Sequence, residues 1–454
     1  MFNYKESQTN EITQCQTQNK IKDLFDQDTS TKVIQNYSQI FHHISFLLST
    51  NEFINLIEAF EKIKHLHTDA FFDPSFVNLE IPKIIVNCMK NQKIISKEIF
   101  FTTCDILLKT NNYRISNEFI KYGIIDIFKA YYINKEEEIL HSLQTFSLMS
   151  FHSVAARNKI LKVIDIQFFC MNDNQQIAFA AYNLILNLCS FGMPKDNCNY
   201  IINILINGII LDHIFAFNLI FQSFYQISFA QEKYWYPLLS DKNIENILIQ
   251  YFPNSQLKSQ ILLIMKRIVE TLFILPDSLI SLLFYFLQSN INQDNVSIFI
   301  SDEKSIEIIS EIFLICVRNW SQIDSLLKFN LIDALLLIAE NGNFQSKINS
   351  VYCLSKIYPA IISKLKEKEA NDFLKKIVEI FIQNLALPQQ DTILYILMSI
   401  IDIMNNLISQ NKVNLIFTAQ NQSDLIDELN NLQSNEDSLI VSKAEYLIDL
   451  IHSL

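Results

Sequence analysis

From about residue 51 to the last residue, apolar side chains recur at three- and four-residue spacing in segments separated by short polar breaks. No segment shows the sustained two-residue alternation of a half-buried strand. Four stretches display the pattern most clearly: FFTTCDILLKTNNYRISNEFIKYGIIDIF (100–128), FAAYNLILNLCSFG (179–192), ILLIMKRIVETLFILPDSLISLLFYFL (261–287) and ISEIFLICVRNWSQIDSLLKFNLIDALLLI (309–338). In each, a helix gives way to a turn and then to a second apolar helix. One equivalent position in each predicted inner helix gives Leu108, Phe146, Asn187, Gln226, Arg267, Leu314, Lys356 and Asn405. The steps between them run from roughly 38 to 49 residues, close to the armadillo and HEAT period of about 40 to 47. A supersecondary unit repeated this way predicts an all-α solenoid, an architecture that serves as an extended binding surface.

Composition narrows this picture. The chain has 454 residues with only 4 Gly and 8 Pro, too few turn formers for a many-stranded β protein. No linker-like stretch interrupts the repeats, which favours one array over residues 51–454. Gly123, Gly192, Gly208 and Gly342 fall at or near predicted helix ends, and Pro82 opens IPKIIVNCM, where a first-turn proline suits a helix. The opening MFNYKESQTNEITQCQTQNKIKDLFDQDTST is polar and Gln/Asn/Thr-rich, so residues 1–31 are expected to be disordered. An amphipathic capping helix is expected within residues 32–50.

Mean hydropathy is slightly positive. The most apolar windows are nevertheless broken by Asn203, Asn207, Asp212, His213 and Asn218, so no transmembrane helix is expected. Eight cysteines are scattered without a CxxC pair and read as reduced core residues of an intracellular protein. There is no glycine-rich phosphate loop, GxSxG or HExxH, and the chemistry expected is binding rather than catalysis, with no metal and no cofactor. A net charge of −12 argues against nucleic acid and for a basic partner.

The C-terminal residues DTILYILMSIIDIMNNLISQNKVNLIFTAQNQSDLIDELNNLQSNEDSLIVSKAEYLIDLIHSL (391–454) resemble the closing segment of the importin-alpha armadillo domain. That ending has a long inner helix, a linker, a short LIDELNNLQ-type helix, a NED-type turn and a last VSKAEYLIDLI-type helix. The segments IPKIIVNCM and NLILNLC resemble importin-alpha segments in the expected order. The resemblance implies a right-handed armadillo-repeat superhelix of about ten repeats. It also implies an adaptor for nucleocytoplasmic protein import, in the cytoplasm or nucleus, that binds a lysine-rich nuclear localisation signal in its inner groove. In that family a Trp and an Asn, one helical turn apart, project from each inner helix. Indole faces sandwich lysine stems, Asn amides clamp the peptide backbone, and nearby carboxylates receive the ammonium groups.

Here the equivalent pairs are Cys104/Leu108, Ser142/Phe146, Asn183/Asn187, Leu263/Arg267, Ser310/Leu314 and Tyr352/Lys356. Asn187 keeps the amide and Tyr352 keeps an aromatic, while Trp235 and Trp320 fall in turns. Candidate groove residues are therefore Asn183, Asn187 and Tyr352, with Asp105 as an acidic contributor. Arg267 and Lys356 would repel a lysine-rich guest. The first 50 residues carry Lys5, Lys20, Lys22 and Lys32 but no arginine, so they lack the basic segment with which importin-alpha adaptors engage importin-beta. The alternative expectation is an armadillo scaffold that has lost nuclear-signal binding and recognises a different protein partner.

Overall fold

The computed structural model describes residues 37–50, 52–91, 97–110, 113–131, 135–190, 195–230, 243–291, 302–319, 322–363, 366–410 and 412–453. Among the described residues every regular element is a helix and there is no strand. The polar segment 1–31 and both tryptophans lie outside the described residues. The chain divides into two compact units, Met1–Ile127 and Phe128–Leu454.

The first unit contains α1 (Tyr37–Ser49), α2 (Phe53–Lys64), α3 (Pro74–Asn78), α4 (Ile81–Asn91), α5 (Lys97–Thr110) and α6 (Tyr113–Tyr122); α7 (Ile124–Tyr131) spans the division. Within the segment 32–50, of which residues 32–36 lie outside the described residues, α1 buries Phe41, Ile44, Leu47 and Leu48 against α2, α3 and α4. Phe41 meets Phe76 of α3 edge-on at 5.3 Å, and Phe71 meets Phe76 at the same distance. Such offset aromatic contacts add about 0.5–1.5 kcal/mol each beyond area burial. Pro82 occupies the first turn of α4, and Gly123 takes φ +93° between α6 and α7, a conformation that side chains with a Cβ rarely adopt.

The second unit contains α8 (Glu136–His152), α9 (Val154–Val163), α10 (Ile166–Cys170), α11 (Gln175–Cys189), α12 (Lys195–Ile210), α13 (Phe217–Ala230), α14 (Asn243–Tyr251), α15 (Lys258–Leu272) and α16 (Asp277–Ile291). It continues with α17 (Glu303–Arg318), α18 (Ile323–Lys328), α19 (Leu331–Asn341), α20 (Phe344–Ile362), α21 (Glu367–Gln383), α22 (Gln390–Ser409), α23 (Val413–Ile416), α24 (Ala419–Leu432) and α25 (Ser438–His452). Eight of these form one row, in which α8 packs on α11, α11 on α13, α13 on α15, α15 on α17, α17 on α20, α20 on α22 and α22 on α25. Shorter helices pack against the row, including α9 on α8, α10 on α11, α19 on α20 and α24 on α25. An all-helical unit in which each equivalent helix packs on the next in sequence order is consistent with an α-solenoid.

Local signals explain where the row helices start. Glu136, Glu137 and Glu138 occupy the first turn of α8, where carboxylates complement the helix dipole. Asn174 caps α11 by accepting from Gln176 N at 2.9 Å, and Asn343 caps α20 by accepting from Ser346 N at 2.9 Å. Both caps also reach back one repeat. Asn174 donates to Glu136 Oε2 at 2.8 Å and Asn343 to Glu307 Oε2 at 3.1 Å, so one side chain starts a helix and ties it to the previous row member.

No transmembrane helix was expected, yet α22 is long and apolar enough to cross a membrane by length and composition. Its only charged residues are Asp391 and Asp402. Contacts with α20, α21, α23 and α25 account for that composition, since a row helix must bury most of its circumference. The seven described cysteines are buried, as expected of core residues; Cys15 lies outside the described residues. Burial pushes the Cys316 thiol up to about 12 and raises that of Cys353, with Cys316 adding to the latter shift.

Candidate binding surface

A helix packed on both flanks and from behind has one narrow stripe left for solvent. In α11, Ile177, Ala178, Ala180, Ala181, Tyr182, Leu184, Ile185, Leu188 and Cys189 are buried, which leaves Phe179, Asn183, Leu186 and Asn187 along one side. Phe179 is 47% exposed, one turn before Asn183. The corresponding stripes include Tyr225 and Gln226 of α13, Leu263, Lys266 and Arg267 of α15, Glu311, Leu314 and Arg318 of α17, Tyr352 and Lys356 of α20, and Tyr395 and Met398 of α22.

Asn183 and Asn187 share this stripe, and the amide nitrogens of both already donate to α8. Asn183 Nδ2 donates to Ser147 Oγ of α8 at 3.2 Å. Asn187 Nδ2 donates to the same oxygen at 2.7 Å and to the Ser147 carbonyl at 3.2 Å. Their Oδ1 atoms have no hydrogen-bond donor among the described residues and remain acceptors for a guest. Asp105, in the first unit, is half-buried on α5 and lies 4.0 Å from Lys109 Nζ, one turn on.

The family-matched positions do not all face outward. Cys104, Ser142, Phe146 and Ser310 are fully buried, while Leu263, Arg267, Leu314, Tyr352 and Lys356 reach the stripes. Ser310 Oγ instead accepts from Asn349 Nδ2 at 3.0 Å, a buried tie from α17 to α20. Arg267 Nη1 meets Glu270 Oε2 at 3.0 Å, and Lys266 Nζ meets Glu311 Oε2 at 2.7 Å across α15 and α17. The Tyr225 phenol is pushed up to about 12, first by burial and then by Glu270, with Arg267 acting in the opposite sense. This middle stretch is a nearly neutral network of paired charges.

The last part of the row is different. Tyr352 of α20 meets Tyr395 of α22 edge-on, with ring centroids 4.9 Å apart. The Arg318 guanidinium carbon lies 5.2 Å from the Tyr352 ring, and Lys356 Nζ lies 5.7 Å from the same ring and 4.2 Å from that of Tyr395. Burial raises the Tyr352 phenol above its ordinary value, Tyr395 adds to the shift and Arg318 opposes it. The sequence singled out Tyr352 and did not single out Arg318, Tyr395 or Phe179. Tyr395 stands about one repeat after Tyr352, and Phe179 one turn before Asn183, so the repeat period and the helical period were the signals that pointed to them.

No family model matches the chain, and no curated protein matches it. Among solved structures, the crystal structure of an engineered protein is similar at TM-score 0.59 and 10% identity, covering 92% of this chain and 99% of that one. A second engineered protein, with 9% identity and TM-score 0.42, covers 52% of this chain and 98% of its own. At such identities the first likeness bears on the fold alone and the second carries no argument. The class that fold and surface define is an all-helical protein of stacked helices with a solvent-facing seam along one row.

Proposed function

We propose that the chain is an armadillo-type scaffold whose seam of exposed stripes binds an extended segment of a protein partner. The observation that carries this reading is the seam itself: α11, α13, α15, α17, α20 and α22 each offer a narrow stripe on consecutively packed helices. Exposed Phe179 and Met398 supply apolar contact, and Asn183 and Asn187 supply amide acceptors one turn apart. A continuous row of such stripes suits a peptide that runs across the helices.

A second reading is an importin-alpha-like adaptor for a lysine-rich nuclear localisation signal. The shared stripe of Phe179, Asn183 and Asn187 favours it, since an aromatic and two amides are the chemistry such a peptide uses. Arg318 and Lys356 further along the seam weigh against it, and so does the donation of the Asn187 amide to both the hydroxyl and the carbonyl of Ser147. The scaffold reading is therefore preferred. Titration of the full chain with a fluorescent lysine-rich nuclear-signal peptide, at low and physiological salt, separates the two. The scaffold reading expects no saturable binding of that peptide. It expects segments selected from a displayed library to lose binding on Phe179→Ala or Met398→Ala. Micromolar binding of the lysine-rich peptide, abolished by Asn187→Ala, would replace it with the adaptor reading.

A further inference from the structure

We propose that Arg318, Tyr352, Lys356 and Tyr395 form a subsite for an oxyanion, the carboxylate or phosphate of an acidic side chain on the bound segment. This inference rests on the scaffold reading and adds the chemistry of one position in it. Three row helices build the subsite: α17 ends in Arg318, α20 supplies Tyr352 and Lys356 one turn apart, and α22 supplies Tyr395. Arg318 and Lys356 both lie within cation–π reach of the Tyr352 ring, and Lys356 is closer still to that of Tyr395. A ring face attracts a cation without neutralising it. Two like charges drawn to one ring repel each other, and an oxyanion between them turns that repulsion into two attractions.

The surrounding charges sharpen the contrast. Elsewhere on the row and its helices, Lys258 pairs with Asp302 at 2.6 Å, Lys266 with Glu311 at 2.7 Å and Arg267 with Glu270 at 3.0 Å. The chain holds 48 acidic residues against 36 basic ones, so carboxylates are not scarce. Among the described residues, however, none forms an ion pair with Arg318 or Lys356; both lie against tyrosine rings, and Arg318 is also hydrogen-bonded to the Tyr352 phenol. Arg318 is exposed, and Tyr352, Lys356 and Tyr395 are half-buried, which leaves an open approach to a partly desolvated floor. The guanidinium presents a planar fork that fits carboxylate and phosphate alike. The ammonium adds a point charge, and the phenol hydroxyls, hydrogen-bonded to each other, line the floor.

The test is fluorescence anisotropy of the full chain with three labelled peptides of one length: glutamate-rich, phosphoserine-rich and an uncharged glutamine-rich control. Inorganic phosphate serves as competitor. The expected result is saturable binding of one or both anionic peptides, with the glutamine peptide at least about tenfold weaker, and a loss of about tenfold for Arg318→Gln and for Lys356→Gln. Preference for glutamate or for phosphoserine tells which oxyanion the subsite takes. Far-UV circular dichroism verifies the fold of each variant, and Arg318→Lys, which keeps charge but loses the fork, should retain part of the affinity. Equal binding of charged and uncharged peptides, unaffected by both variants, overturns the oxyanion subsite while the scaffold reading stands. Phosphate binding that depends on Arg318 and Lys356, with no peptide bound, supports the subsite and overturns the peptide reading. Absence of binding by every probe overturns both.

Discussion

Gly208 sits in the last turn of α12, where a Cβ would collide with the Tyr182 hydroxyl and lie 2.9 Å from its ring carbon Cζ. Tyr182 cannot retreat, because it is fully buried and its hydroxyl is held by His213 Nδ1 at 3.0 Å. Gly208→Ala should therefore destabilise the chain by about 1–3 kcal/mol despite alanine's better helix propensity, measured as a lowered urea midpoint at unchanged slope. The sequence marked Gly208 as a helix-end glycine; its role is close approach, set by a tyrosine from the preceding repeat. The same limit applies at Asn187. Its residue type and place in LILNLC were legible, but the fate of its N–H groups depends on Ser147, one repeat earlier. A single chain read along its length shows which groups are present and not which distant group has already engaged them.

Ties between row helices recur at sequence separations near one repeat: Asn174 to Glu136, Asn187 to Ser147, Asn343 to Glu307 and Asn349 to Ser310. They differ in burial, and burial sets their worth. Asn349 is 3% exposed, so Asn349→Ala strands the acceptor face of Ser310 Oγ away from water and should cost about 1–3 kcal/mol. Asn187 is half-buried, water can replace its amide, and Asn187→Ala should cost about 0.5–1.5 kcal/mol. Urea unfolding of the two variants checks the order, and equal costs would show that these ties are solvated alike. At this scale the sequence was most informative. All eight positions chosen from Leu108 to Asn405 fall inside helices, and the seven from Phe146 onward fall in consecutive members of the row. The face was harder to read, because an error of one residue turns a helix by about 100°, which is how Cys104, Ser142, Phe146 and Ser310 came to be matched to groove positions while lying in the core.

Across the whole molecule, net charge and half-buried histidine pull the acid stability in opposite directions. Lowering the pH toward the pI of about 5.2 removes the self-repulsion of a chain at −12 and favours the compact state. His152 and His213 act against this, both in the second unit. Burial lowers the pKa of each, Asp212 partly offsetting the effect at His213, and His152 Nε2 is buried without a hydrogen-bond partner. A depressed folded-state pKa means that the unfolded chain binds the proton first. The contribution of these imidazoles is therefore complete above the ordinary histidine value of 6.5 and is lost as pH falls through their lower folded values. The overall charge was readable from composition, whereas which of the eight histidines oppose it required the fold. Scanning calorimetry of the wild type and of His152→Gln/His213→Gln between pH 7.5 and 5 separates the contributions, since the repulsion term is common to both. The melting temperature of the wild type should fall more steeply, or rise less, than that of the double variant on acidification. Parallel profiles would mean that neither imidazole resists protonation in the folded chain, and that the acid response belongs to the carboxylates alone.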